Sequence, residues 1–330
     1  MITHLRASMA ALALLLAVSS TAQSQAEPKP EGPVLLRTPD GRPDLQGTWT
    51  STTLTPLERP AEFAGKATLS DGEALAYEKR GHRIFEERPD LPADTLARVK
   101  EGNAIGAEDS EVWETGAALA RVNGLKRTSL IVDPPDGKIP DRTPEAKQRR
   151  EARSKNRDRA DSFKDLSLSD RCLAFGPVPM VPVVYNGNYQ IVQTPGYVMI
   201  LSEMIHDARV IRMNAKHAPP SVRQWQGDSI GSWEGDTLVI DTTNFRSPGA
   251  FSGSSENLHV VERLSRSGAD TLLYRATIDD PATFTKPWTI EYPFAATTDQ
   301  IFEFACHEGN SWVEDRLSAA RKAEGAVGAK

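Results

Sequence analysis

Apolar and polar residues alternate with a period of two through much of the second half of the chain, in short runs divided by turn residues. NYQIVQ, YVMILSEMI, RVIRM, DTLVIDTT, HVVERLSRS, TLLYRATI and PWTIEYPF all read as strands, and IFEFACHEGN reads as one more. Asn186-Gly187 predicts a two-residue hairpin turn, Pro195-Gly196 a type II turn, and Gly235-Asp236 and Gly268 two further reversals. After His206-Asp207 the RVIRM run either continues the preceding strand through a bulge or returns after a tight turn. Strands joined by short turns, with no helices between them, indicate an antiparallel meander, and closing it removes the exposed edges. The expected fold is therefore mainly β, an antiparallel calycin- or lipocalin-like barrel with a β-sandwich as the alternative, and its interior is expected to hold a small ligand.

Helical periodicity is confined to the middle. Residues 69–165 form the expected helical insertion, with a helix capped by Ser70 through GEALAYEKR, a second through VWETGAALARV, and a third opened by Thr143-Pro144-Glu145. A strand over 128–132 and a turn at Asp136-Gly137 separate the second from the third. The third helix carries almost only polar residues of mixed charge, which suits a solvated surface or a docking face for an acidic partner. From 313 a short helix and then a flexible small-residue tail over 319–330 are expected.

At the N-terminus Arg6 precedes an apolar run from Ala7 to Val18 and then small residues to Ala26, the order of a secretory signal peptide over 1–26. The run is shorter than the ~20 residues that span a bilayer, so no stable membrane insertion is expected. Residues 27–43 read as an extended lead-in and 44–318 as one barrel domain, located in the periplasm or outside the cell. Removing Arg6 takes the formal charge from -6 to about -7. This mild acidity argues against a nucleic-acid partner, which needs a basic face. Export also predicts a disulfide between Cys172 and Cys306, the chain's two cysteines, with a thiol nucleophile at Cys306 beside His307 as the alternative.

PDLQGTW places Gly47 and Trp49 in a G-x-W at the start of the first strand, as in lipocalin and calycin barrels, where the Trp closes one end. SEMIHDARVIRM, RQWQGDSIGSWEGDTLVIDTTNF, SENLHVVERL, TIDDPATFTKPW and ACHEGN, together with PDLQGTW and SLIVDPPDGKIP, closely resemble a large family of exported bacterial proteins of unassigned activity. The resemblance covers most of the mature chain and implies export and a common fold. It departs after CHEGN, where the family continues with a Tyr and an Asn-rich turn and this chain has SWVEDRLSAAR.

Candidate chemistry lies where histidines neighbour carboxylates and arginines: IHDAR, HVVER and CHEGN. A carboxylate on one ring nitrogen fixes the tautomer and raises the basicity of the other, which suits acid/base work. His206 and His259 are the expected acid/base residues, Asp207 or Glu262 the orienting groups, and Arg209 or Arg263 the anion stabilisers. Alternation places His259 and Arg263 on one face of their strand and Glu262 on the other, among apolar neighbours. Tyr189, Trp225, Trp233, Tyr274 and Trp288 are the expected binding surface for a hydrophobic or aromatic small molecule. The leading expectation is cofactor-free lyase, isomerase or hydrolase chemistry. The alternatives are a non-catalytic carrier, or a metal-dependent hydrolase using His206, His259 and His307. The sequence has no P-loop, dinucleotide fingerprint or serine elbow, since GDSIG lacks the elbow spacing.

Overall fold

The computed structural model describes residues 36–86, 118–175, 178–183, 186–247 and 251–328. In chain order its strands are β1 (Gly47–Thr50), β2 (Thr68–Leu69), β3 (Arg121–Val122), β4 (Leu125–Arg127), β5 (Ile131–Asp133), β6 (Asn188–Gln193), β7 (Tyr197–Ser202), β8 (Ala208–Met213), β9 (Asp228–Glu234), β10 (Thr237–Thr243), β11 (His259–Gly268), β12 (Thr271–Asp279) and β13 (Trp288–Ala296). Its helices are α1 (Asp71–Glu86), α2 (Pro144–Arg159) and α3 (Trp312–Gly328). The expected signal peptide and most of the expected helix over 112–122 lie outside the described residues. Arg121–Val122, at the end of that helix, is strand β3.

β1 pairs with β6, the neighbours then run in order through β13, and β13 pairs back with β1, so nine strands close a barrel. β5 adds to the far part of β13, and β2, β4 and β3 form a small separate sheet. Closure removes the sheet edges, as the run of turn-separated strands predicts. The chain after His206-Asp207 does return, through a tight turn in which Ile205 and His206 have positive φ, and β7 and β8 are antiparallel. One pairing departs from the expected antiparallel order: β8 and β9 are parallel, with Arg212 opposite Ile230. A parallel pair needs a crossover long enough to carry the chain back along the strand, and residues 214–227 supply it.

Alternation fills the interior. On β12 Leu272, Tyr274, Ala276 and Ile278 are completely buried, as are Leu238 and Ile240 on β10 and Val260 and Leu264 on β11. Each of the leucine, isoleucine and valine side chains contributes about 1.5–3 kcal/mol through burial. Trp49 of the G-x-W is buried, donates from Nε1 to the Leu45 carbonyl at 3.0 Å, and lies under the Arg266 guanidinium at 5.3 Å. It thus seals a barrel seam with both its face and its edge satisfied.

Local chemistry explains the other ends. Ser70 and Glu73 cap α1 reciprocally, with Glu73 accepting from the Ser70 N–H at 3.0 Å. Thr143 accepts from the Ala146 N–H at 3.1 Å, Pro144 opens α2, and Ala160 closes it at φ 49°. Three sequence expectations fail. Asn186-Gly187 leads into β6 with no strand before it among the described residues, and the Gly187 carbonyl accepts from Ser51 instead. Phe302 lies in irregular chain, its N–H held by the buried Glu203 carboxylate at 2.9 Å, so IFEF forms no strand. Helix α3 runs on to Gly328 through most of the expected tail, seating Ala320 against Ala160 and Leu166.

The Cys172–Cys306 disulfide is formed, with a Cα–Cα distance of 5.8 Å, and it excludes a free thiol at Cys306. Among the described residues no helix is long and apolar enough to cross a membrane.

Candidate functional site

Of the expected site residues, Arg209, Glu262, Tyr189, Tyr274 and Trp288 point into the barrel. Arg209 donates to both Glu262 oxygens at 2.5 and 3.2 Å, and Tyr274 Oη donates to Glu262 Oε1 at 2.8 Å. The Met180 N–H donates to Tyr274 Oη at 2.9 Å, and Tyr292 Oη donates to the Met180 carbonyl at 3.2 Å. Burial pushes the Tyr274 and Tyr292 hydroxyls well above the usual phenol range, so both stay neutral donors. Burial opposes the charge of Arg209, but the Glu262 carboxylate more than compensates and raises its pKa.

This network closes on itself. Tyr189 stacks on Phe294 at 5.6 Å, and Trp288 packs on Phe251 and Phe284. Glu262, Tyr274, Tyr292, Phe294 and Trp288 are all 0 % exposed, so they border no space large enough for water. The expected ligand-holding lumen is instead packed core, plugged by Met180. Satisfied donors and acceptors make Arg209–Glu262–Tyr274 a structural network with no free group to offer a substrate.

His259 and Arg263 lie on the outer wall, the consequence of the alternation that sends Glu262 inward. Arg263 forms an exposed pair with Glu234 at 2.8 Å. His259 Nε2 lies 3.0 Å from Asp241 Oδ1, and that hydrogen bond raises the His259 pKa and lowers that of Asp241. The same oxygen meets His217 Nε2 at 3.1 Å, and His217 Nδ1 meets Asp228 Oδ2 at 3.0 Å. Arg212 completes the chain on Asp228 at 2.8 Å. Burial pushes Asp228 upward, but the Ala218 N–H, His217 and Arg212 together hold its pKa below the usual carboxylate value. With a carboxylate at each ring nitrogen, His217 has neither nitrogen free for a substrate.

His206 is exposed at the β7–β8 turn, its Nδ1 3.1 Å from the Phe304 carbonyl. Asp207 follows half-buried, and burial pushes its pKa up to about 6 against the smaller opposing effects of His206 and Gln226. Asp207 Oδ2 is buried without a hydrogen-bond partner. The expected acid/base set therefore divides between the rim (His206, Asp207), the core (Arg209, Glu262) and the outer wall (His259, Arg263). His206, His259 and His307 do not converge either: among the described residues no group of three or more His, Cys, Asp or Glu is placed to hold a metal ion.

The concave site lies over the parallel pair. The crossover, with β8 and the start of β9, encloses a cleft of about 650 Å³ lined by Tyr197, Arg212, Arg223, Trp225, Gln226 and Arg246, with Arg209 and Asp228 also reaching it. Arg246 lies over the Trp225 ring at 5.1 Å. Arg223 donates to the Phe245 and Glu256 carbonyls at 3.1 and 2.9 Å, and Asn244 donates to the Ala218 carbonyl at 2.9 Å, which pins the crossover to the barrel. Gly227 has φ +72° and turns the chain into β9, where a Cβ would meet the Thr243 carbonyl at 2.6 Å. Trp225 is thus the expected binding aromatic that reaches a cleft, whereas Trp233 lies at the rim under Arg42 at 5.8 Å.

Sequence reasoning missed His217, Asp228, Asp241, Arg212, Arg223 and Arg246. His217 sits in AKHAPP with no adjacent carboxylate, so local spacing gave no hint of its partners. Asp241 and His259 were accessible in principle, since both fall on outward positions of strands separated by one long turn. A scan against protein-family models found no match, and searches of curated proteins and of solved structures likewise found none.

Proposed function

We propose that the protein is an exported binder of a small organic anion with an aromatic or apolar body, held in the cleft over β8 and β9. The observation that carries this reading is the joint lining of that cleft by Trp225, Tyr197 and three arginines. Arginine matches a carboxylate or related oxyanion with a planar pair of donors, and the aromatic faces favour a flat apolar body. Arg246 contributes both, since it has no carboxylate partner among the described residues and stacks on Trp225. Export is supported by the signal-like N-terminus and by the disulfide, which persists in oxidising compartments.

The test uses 2-naphthoate titrated into the mature protein and followed by tryptophan fluorescence. Saturable binding below about 1 mM is expected. Trp225→Ala and Arg246→Gln should each weaken it about tenfold or more, and Arg263→Gln on the outer wall should leave it unchanged. Absence of saturable binding, or equal affinity in Trp225→Ala, would sink the reading.

A second reading, acid/base turnover of the bound anion, rests on Asp207. Asp207 precedes Ala208 of the cleft wall in the chain, its carboxyl interacts with the cleft residue Gln226, and its pKa of about 6 suits proton transfer near neutrality. Turnover with a pH profile that breaks near 6 and vanishes in Asp207→Asn would support it.

A further inference from the structure

The second cleft, of about 750 Å³, is lined by α2 on one side and by Ser247, Ser252, Gly253 and Ser254 on the other. Five basic side chains line it, Arg142, Arg149, Arg150, Arg153 and Lys164, against one carboxylate, Asp165. That carboxylate is already engaged, because Asp165 Oδ2 accepts from the Ser162 N–H at 2.8 Å in a capping box. Asp280, which acts on Arg142, is likewise held by the Ser255 N–H and hydroxyl at 2.6 and 2.7 Å.

The arginines divide by what they touch. Arg149 anchors α2, donating to the Ala282 carbonyl at 2.8 Å and to Thr283 Oγ1 at 3.0 Å. Arg142 donates to Ser252 Oγ at 3.0 Å and lies over the Phe284 ring at 5.3 Å. Arg150 and Arg153 have no ion-pair partner among the described residues. Burial lowers the pKa of Arg142, with Arg150 and Arg149 adding repulsion, and burial followed by Arg157 lowers that of Arg153. The guanidiniums therefore crowd one another, offset only in part by Asp280 at Arg142, in a chain whose formal net charge is -6.

A further polar group is unspent. Ser254 is 3 % exposed and lines the same cleft, and its hydroxyl has no hydrogen-bond partner. Such a group in a native fold calls for a partner. The arginines and the lysine together line a concave space with donors, and the complement of such a set is a compact group rich in acceptors.

We propose that this cleft is a binding site for a small multivalent oxyanion of the phosphate type, with Arg150 and Arg153 as its main ligands and Arg142 and Arg149 fixed behind them. The concave shape favours a small molecule over an extended polyanion. The site is separate in its residues from the cleft over β8 and β9, and it accounts for a helix whose polar sequence otherwise reads as solvated surface.

Pyrophosphate is titrated calorimetrically into the mature protein at low salt, beside Arg150→Gln/Arg153→Gln and Arg246→Gln. The expected result is saturable binding below about 1 mM, weakened about tenfold or more in the double variant and unchanged in Arg246→Gln. Neither Arg150 nor Arg153 has a hydrogen bond or ion pair among the described residues, so the far-UV circular dichroism of the double variant should match the parent. Three outcomes overturn the proposal: no saturable binding, equal binding in the double variant, or an equal loss in Arg246→Gln, which would assign the anion to the other cleft.

Discussion

Replacing Glu262 with leucine separates a structural from a catalytic role for the ion pair inside the barrel. Glu262 is completely buried and accepts three hydrogen bonds, two from Arg209 and one from Tyr274. Glu262→Leu strands the Arg209 guanidinium, itself 5 % exposed, at a cost of about 3–5 kcal/mol. The unmade Tyr274 bond adds about 1 kcal/mol. The sum is a large part of the ~5–15 kcal/mol that holds a typical domain folded. Arg209→Met/Glu262→Leu removes both charges and should recover most of the loss, because apolar residues of similar volume replace buried pairs at little cost. Urea denaturation followed by tryptophan fluorescence gives the double-mutant coupling directly. A loss below about 1 kcal/mol in Glu262→Leu, or losses that simply add in the double variant, would refute the closed-network account.

The disulfide spans a sequence separation of 134 residues, so Cys172→Ser/Cys306→Ser should lower the unfolding free energy by about 3–5 kcal/mol, measured in the same urea assay. Asp207 supplies a pH test. Its folded pKa of about 6 lies above the ordinary 3.8, so between these values the native carboxyl holds a proton that the unfolded chain releases. Stability from this group is therefore present at low pH and falls as pH rises from about 4 to about 6. Because Asp207 is half-exposed the size is modest, about 1 kcal/mol after solvent screening. Asp207→Asn should flatten that part of the stability profile, and an unchanged slope would rule out the burial argument.

The barrel was legible from the sequence because alternation and turn chemistry are local. Pro195-Gly196, Gly235-Asp236 and Gly268 each reverse the chain between paired strands, and Thr143-Pro144 starts its helix. The outward direction of His259 and Arg263 and the inward direction of Glu262 follow from the same period. Expectations failed where tertiary contacts compete with local preference. Asn186-Gly187 favours a hairpin, yet Ser51 takes the Gly187 carbonyl, and IFEF favours a strand, yet Glu203 takes the Phe302 N–H. The site was less legible still. Whether inward positions surround a pocket or a packed core depends on total side-chain volume and on Met180 entering from a distant segment, neither of which a strand pattern encodes.

The parallel β8–β9 pair links the fold to the candidate site. Had the chain turned tightly after Met213, β9 would be antiparallel and the outer wall there would be bare. Because it is parallel, residues 214–227 must cross the wall, and that crossover brings His217, Arg223 and Trp225 over Arg212, Asp228 and Tyr197. The Arg212–Asp228–His217–Asp241–His259 chain then has a structural task, since it ties the crossover to β8, β9, β10 and β11 at once. A polar network that looks like acid/base machinery when its members are read singly thus acts as the clasp that holds the cleft in shape. Trp225 and Arg246, the groups proposed to recognise a ligand, line the cleft and stay outside that network.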